Sequence, residues 1–171
     1  FPSDLFPLMA KKMLSFLTLE LLKAMPEKKT FHVFYQPKDI VAGDFYWLNQ
    51  KDNDLYIASC DCTGHGVPGA LVSVVCNAAL NRSLKEFALQ TPGEILDKTR
   101  ELVVTEFEKS EDEVSDGMDI ALIKLNGNRL SFSGANNPLW VIRNNGDLVE
   151  DIKGCKQSIG LTNNPSPFVT H

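Results

Sequence analysis

The chain of 171 residues is long enough for one domain with a sizeable hydrophobic core. Hydrophobic residues make up 43% of it and charged residues 23%, as in ordinary globular proteins, and no apolar run approaches the roughly 20 residues of a membrane span. The formal net charge of −5, without a basic patch, makes nucleic acid an unexpected partner.

The apolar residues of the first segment recur at every fourth position: Leu5, Met9, Met13, Leu17 and Leu21. This spacing predicts an amphipathic helix, and we assign residues 1–28 to an N-terminal helix or linker that Pro26 ends. Its apolar face has to pack on its own domain, on a second copy of the chain, or on an upstream module. The first residue is Phe1 rather than Met, so we expect the chain to be cut from a longer protein.

Three segments in the first half of the chain have the composition and alternation of strands: residues 31–36, 43–49 and 55–62. Lys51–Asp54, between the second and the third segment, has the composition of a hairpin turn. The third segment is apolar on both faces, which predicts a central strand of a sheet.

Apolar residues at helical spacing predict a helix from Pro68 to about Phe87. A second helix is expected to begin after Thr91, because Glu94 follows it at the spacing of a capping box. Short strands are predicted after it at residues 118–125, 128–134, 138–144 and 147–152. This order, with mainly hairpin connections, predicts an α+β domain in which antiparallel sheets face each other and helices pack on them.

The cysteines are Cys60, Cys62, Cys76 and Cys155. A disulfide framework is not expected in a chain of this length, and free thiols indicate a reducing, cytoplasmic location. Cys60-x-Cys62 followed by His65 also resembles half of a zinc knuckle. A second Cys/His pair at zinc spacing is missing from the sequence, which argues against a structural zinc site.

The segment GHGVPG, residues 64–69, fits the G-x-G-x-x-G pattern of dinucleotide-binding loops. That interpretation requires a strand, the glycine turn, a helix and then a second parallel strand. Thr91 opens another helix where the second strand should come, so the sequence disfavours nucleotide binding.

Two aspartates flank the strands around the Lys51–Asp54 turn. Asp44 follows Gly43 at the start of one predicted strand, and Asp61 ends the next one. If the two strands pair antiparallel, both carboxylates lie at the same end of the sheet, where a cation such as Mg²⁺ or Mn²⁺ would relieve their repulsion. The simpler alternative is that both are turn or cap residues and that His65 is a surface histidine.

Four motifs occur in this order: GDFYW (residues 43–47), DCTGHGVPGAL (61–71), SDGMDIALIKL (115–125) and SGANNPLWVIR (133–143). Together they resemble the bacterial metal-dependent serine/threonine phosphatases of the stage II sporulation protein E type, which are relatives of the type 2C protein phosphatases. The similarity runs from about Lys29 to Leu161.

The resemblance implies an αββα sandwich with a binuclear Mn²⁺ or Mg²⁺ centre at one end. By motif match, Asp44 would bridge the metal ions, Asp61 would ligate one of them, and Cys62 would offer its backbone carbonyl. A bridging hydroxide would attack the phosphorus of phosphoserine or phosphothreonine, and His65 would protonate the leaving alkoxide. Asp116 is either a ligand of a third metal or an exposed loop acid.

The family carries two further metal aspartates, in a Thr-Asp-Gly motif and an Asp-Asp-Met/Ile-Thr motif, and the sequence stops at His171 before either. We therefore expect residues 29–171 to form a partial phosphatase domain, incomplete at its C-terminus and weakly active or inactive alone. Incomplete sheets also expose edges that can pair with a second chain, so homodimerisation is a further expectation.

In this family, such domains follow a sensor module in the same chain and dephosphorylate an anti-sigma-factor antagonist. The resemblance thus implies a signalling phosphatase with a phosphoprotein substrate. A non-catalytic regulatory or binding module on the same fold is the alternative. The intact Asp44 and Asp61 argue against that alternative, and the missing C-terminal aspartates argue for it.

Overall fold

The computed structural model describes residues 33–36, 40–108, 116–143 and 148–171. The N-terminal helix predicted over residues 1–28 lies outside this part of the chain. The described elements are, in chain order, β1 (Phe45–Lys51), β2 (Asp54–Cys62), α1 (Gly66–Glu86), α2 (Pro92–Phe107), β3 (Met118–Asn126), β4 (Arg129–Ala135), β5 (Leu139–Arg143) and β6 (Leu148–Ile152).

The strands form two antiparallel sheets. One has the order β1-β2-β3-β4, and β5 and β6 pair with each other in the second. Isolated bridges from Met118 to Ile159 and from Ala135 to Cys155 tie the chain that follows β6 back to the first sheet. The predicted α+β class with antiparallel sheets and packed helices is confirmed.

Both helices pack on the same face of the four-stranded sheet. α1 contacts β1 and β2, while α2 contacts β3 and β4. The hydrophobic core lies between these two layers, and its fully buried side chains include Leu80, Leu84, Ile95, Leu96, Val103, Ile120 and Leu122. Alternation along β2 explains this placement, because every second residue from Tyr56 to Cys62 is buried against the helices.

Polar contacts fix α1 on the edge strand β1. The indole nitrogen of Trp47 donates to the Asn81 side-chain oxygen at 3.2 Å. The ammonium group of Lys51 donates to the backbone carbonyls of Leu84 (2.8 Å) and Phe87 (3.2 Å), which are carbonyls that the end of a helix leaves unpaired. The hairpin β1–β2 and the helix that follows it therefore form one unit.

The start of α2 is confirmed. Thr91 is the N-cap residue, its side chain accepts a hydrogen bond from the Glu94 amide, and the Glu94 carboxylate accepts one from the Thr91 amide at 2.8 Å. Further along the helix, the buried hydroxyl of Thr99 donates to that of Ser83 on α1 at 3.0 Å. This bond satisfies polar groups that would otherwise be costly in the core.

The prediction of a strand at residues 31–36 is wrong for residues 33–36, the part of this segment that the structure describes. Residues 33–36 are exposed and belong to no strand. The Tyr35 hydroxyl donates to the backbone carbonyl of Asp44 at 3.0 Å, and its ring meets Tyr46 edge to face. Alternation predicted a strand here, but a strand also needs a partner, and this segment contacts β1 through side chains instead.

The strand topology rules out the dinucleotide-binding unit. α1 is followed by α2, and β3, the next strand in the described part of the chain, runs antiparallel to β2. A Rossmann-type unit needs a parallel strand at that point. None of the helices in the described part of the chain combines the length and hydropathy that crossing a bilayer requires.

We predict that Leu122→Ala lowers the free energy of unfolding by about 2–5 kcal/mol, because it leaves a cavity between β3 and the helices. Leu122 is completely buried, whereas Leu161 is 59% exposed and provides the matched control. Leu161→Ala should change stability by less than about 0.5 kcal/mol in the same urea titrations. Equal losses for the two variants would contradict the described core.

Candidate metal centre

Asp44 and Asp61 meet at one end of the β1–β2 hairpin. The paired residues of the hairpin end at Phe45 and Cys60, so the two aspartates occupy the next position on each strand. Because Cys60 and Cys62 are buried on the helix side, Asp61 points to the opposite face of the sheet. Asp44 and Asp61 line the same cleft.

The electrostatics of this pair are unfavourable without a cation. Partial burial raises the pKa of the Asp61 carboxyl, and the contact with Asp44, its charge and that of Asp119 raise it further. Ionising both carboxyls therefore costs free energy in the folded chain. A divalent cation placed between them would offset that cost.

Asp119 is a third carboxylate at this site, and the sequence analysis did not single it out. It lies on β3 directly opposite Asp61 in the strand register. Its carboxylate accepts hydrogen bonds from the Ser158 hydroxyl at 2.6 Å and from the Asn136 side-chain amide at 2.9 Å. The motif MDIALIKL contains one indication of this role, because Asp119 is the single charged residue among the apolar residues of its first four positions.

The thiol and the carbonyl of Cys62 point to different environments. Its side chain is buried next to Cys76 of α1, and the contact with that thiol, together with burial, raises the pKa of Cys62. A Cβ atom placed on Gly43 would lie 3.1 Å from the Cys62 carbonyl oxygen and 2.9 Å from that of Gly64. These carbonyl oxygens therefore converge at Gly43, the residue before Asp44.

The glycine turn allows this close approach. Gly64 and Gly66 adopt φ values of 84° and 61°, a region that side chains disfavour. A Cβ atom on Gly69 would lie only 2.6 Å from the Gly64 carbonyl oxygen. The loop after Asp61 can thus fold tightly behind Gly43 only because these positions lack side chains.

His65 and Asp116 lie near the glycine turn, but neither lines the cleft that Asp44 and Asp61 line. His65 is the exposed N-cap residue of α1 and does not line the cleft described below. The Asp116 carboxylate accepts a hydrogen bond from the Thr63 hydroxyl at 2.8 Å. Asp116 therefore has a structural partner in the loop.

An open cleft of about 570 Å³ adjoins the carboxylates, and its lining includes Asp44, Asp61, Tyr35, Tyr46 and Asn137. Two carboxylates and a nearby carbonyl oxygen form a donor set that suits a hard divalent cation. No group of three His, Cys, Asp or Glu side chains within the described ranges is arranged to hold a metal ion by itself.

We predict that Gly69→Ala destabilises the chain and weakens Mn²⁺ binding. In an unconstrained helix this exchange would stabilise by about 1 kcal/mol, so the expected sign is reversed here by the clash with the Gly64 carbonyl. Urea unfolding and calorimetric Mn²⁺ titration measure the two effects. A more stable variant with unchanged metal affinity would show that the glycine contact is unimportant.

We also predict that Asp61→Asn stabilises the metal-free chain at neutral pH. The pKa of Asp61 is higher in the folded chain than in the unfolded chain, so the folded chain binds the proton more tightly. The contribution of Asp61 to stability therefore falls as the pH rises from the unfolded pKa to the folded pKa. The advantage of the variant should shrink towards the unfolded pKa of about 3.9. A difference in unfolding free energy that is constant with pH would contradict this account.

Comparison with known proteins places this geometry in a family. The family model described as stage II sporulation protein E (SpoIIE) matches residues 51–171. The solved SiaA-PP2C domain of Pseudomonas aeruginosa is similar at 28% sequence identity and a TM-score of 0.68, over 81% of this chain and 53% of that one. A search of curated proteins finds no match.

Two more distant structures share the fold. The PP2C phosphatase domain of SpoIIE from Bacillus subtilis, solved with a fragment of its regulatory domain, is 19% identical with a TM-score of 0.58, over 77% of this chain and 37% of that one. RsbX in complex with magnesium is 14% identical with a TM-score of 0.52, over 77% and 59%. The chain spans about half of the SiaA structure.

Because the family model matches more than half of the residues of this chain, the chain belongs to the stage II sporulation protein E family and has the fold of PP2C phosphatase domains.

Proposed function

We propose that this chain is part of a metal-dependent phosphatase domain that hydrolyses phosphoserine or phosphothreonine on a protein, with Mn²⁺ or Mg²⁺ in a binuclear centre. The observation that carries the proposal is the placement of Asp44 and Asp61 at the same end of the β1–β2 hairpin, where both line one cleft. Family membership and the PP2C-type fold support the class of reaction.

The residues of the chain have distinct proposed roles. Asp44 and Asp61 hold the cations through their carboxylates, and Cys62 contributes its backbone carbonyl. Divalent cations bound there supply the charge that stabilises the phosphoryl oxygens and make water a better nucleophile. His65, exposed at the start of α1, gives a proton to the leaving serine or threonine oxygen.

The partners remain those that the resemblance implies. The proposed substrate is a regulatory phosphoprotein such as an anti-sigma-factor antagonist, and an upstream sensor module in the same chain controls the domain. An exposed apolar stripe on α1, formed by Val67, Leu71 and Val74, each at least 65% exposed, offers a surface to that module or to a second copy. The free cysteines fit the cytoplasmic location that we propose.

A non-catalytic binding module on this fold is the second candidate. The small number of side chains able to ligate a metal favours this candidate. The described residues contain no group of three His, Cys, Asp or Glu side chains arranged to hold a metal ion. Such a module would bind its partner protein without hydrolysing phosphate. Metal binding and phosphate release therefore have to be measured separately.

We predict that Asp61→Asn weakens Mn²⁺ binding at least about tenfold, because a neutral amide replaces a charged ligand. Asp52→Asn is the matched control, since Asp52 lies in the β1–β2 turn at the other end of the strands. Calorimetric titration of both variants and the wild type gives the affinities. Phosphate release from a phosphothreonine peptide, measured with Mn²⁺ present, tests the reaction itself.

The outcomes separate the two candidates. Equal Mn²⁺ affinity in the wild type and Asp61→Asn would show that the proposed metal site is wrong. Mn²⁺ binding that depends on Asp61, without any phosphate release from the peptide, would fit the binding module and equally a partial phosphatase domain that is inactive alone. Release of phosphate that is lost in Asp61→Asn and kept in Asp52→Asn would support the phosphatase.

A further inference from the structure

A row of polar residues crosses the four-stranded sheet at the level of the proposed metal site. Asp61 lies opposite Asp119 in the β2–β3 register. Asp119 in turn accepts a hydrogen bond from the side chain of Asn136, which follows the last residue of β4. The turn after β4 is thereby held level with the aspartate pair, although it comes from a distant part of the sequence.

This turn is fixed at several points. Asn136 adopts a φ of 57°, and its amide nitrogen donates to the Cys155 carbonyl at 2.8 Å. The carbonyl of the next residue, Asn137, is enclosed by two glycines, because a Cβ atom on Gly134 would lie 2.2 Å from it and one on Gly154 would lie 2.6 Å from it. The backbone of Asn137 is therefore held in one position without help from its side chain.

The Asn137 side chain lines the cleft together with Asp44 and Asp61. It is half-buried, and its amide forms no hydrogen bond with any residue in the described ranges. A primary amide has two N–H donors, so this group has unused capacity to bind a ligand. Gln36 also lines the cleft, but it is more exposed than Asn137.

The cleft contains two acidic side chains and no basic one, so an uncharged hydrogen-bond donor becomes important for binding an anion. Among the described residues that line it, there is no lysine, arginine or histidine. A phosphoryl group bound beside the two carboxylates would therefore depend on cations for charge and on uncharged N–H and O–H groups for hydrogen bonds. Anionic oxygens are strong acceptors for such donors.

We propose that the Asn137 side-chain amide donates a hydrogen bond to a non-bridging oxygen of the phosphoryl group held at the Asp44–Asp61 site. This assignment rests on the proposed function. It makes Asn137 a residue that contacts the substrate and orients the phosphorus in the cleft, with no part in binding the metal.

The test uses inorganic phosphate as the probe and the Mn²⁺-loaded chain as the receptor. Titrations followed by calorimetry and by the Mn²⁺-induced broadening of the phosphorus NMR signal compare the wild type, Asn137→Ala and Asn137→Asp. Asn163→Ala is the matched control, since Asn163 is exposed and does not line the cleft. Thermal unfolding and Mn²⁺ affinity are measured for each variant to detect misfolding or a damaged metal site.

We expect Mn²⁺ affinity to be unchanged in Asn137→Ala and Asn163→Ala, and unchanged or higher in Asn137→Asp, where the added carboxylate attracts a cation. Asn137→Ala should bind phosphate about fivefold more weakly, the effect of losing one hydrogen bond, and Asn137→Asp more weakly still because it adds a like charge. Equal phosphate affinity in the wild type and Asn137→Ala would overturn the inference, as would a wild type that binds Mn²⁺ but no phosphate. A wild type that binds no Mn²⁺ would overturn the proposed function, and this inference with it.

Discussion

The repulsion between the Asp44 and Asp61 carboxyls is the constraint on which the site depends. The β1–β2 register places the two residues side by side, and burial together with the nearby Asp44 carboxyl raises the pKa of Asp61. The surrounding structure maintains that contact. The glycine turn folds tightly behind it, and the helix–sheet core below holds both strands in place. A divalent cation bound between the two carboxyls would offset this repulsion.

A row of polar residues also links the aspartate pair to the turn after β4. Asp119 on β3 lies opposite Asp61 on β2. Its carboxylate accepts hydrogen bonds from Asn136 and Ser158, which hold the turn after β4 beside the aspartates. Asn137 is fixed in the cleft as a consequence. The residues that we propose to hold the cation and the residue that we propose to contact the phosphoryl group thus belong to one framework of paired strands and hydrogen bonds.

Sequence patterns predicted the parts of this structure that depend on local chemistry. The hairpin turn and the capping box at Thr91 are local, and the Asp44–Asp61 pair follows once the two strands are paired. Asp119 was missed because its position opposite Asp61 depends on a register between strands separated by two helices. The strand expected at residues 31–36 was wrong because alternation does not reveal whether a partner strand is present.

The measurement that tests the central claim most directly is the location of bound Mn²⁺. In nitrogen–proton correlation NMR spectra of the assigned chain, substoichiometric Mn²⁺ broadens the signals of amides close to the ion. The account predicts that the amides of Asp44, Asp61 and Cys62 broaden first, while those of the β1–β2 turn around Asp52 stay sharp. Broadening that begins at Asp52, or that is uniform over the chain, would contradict a metal site at the aspartate pair.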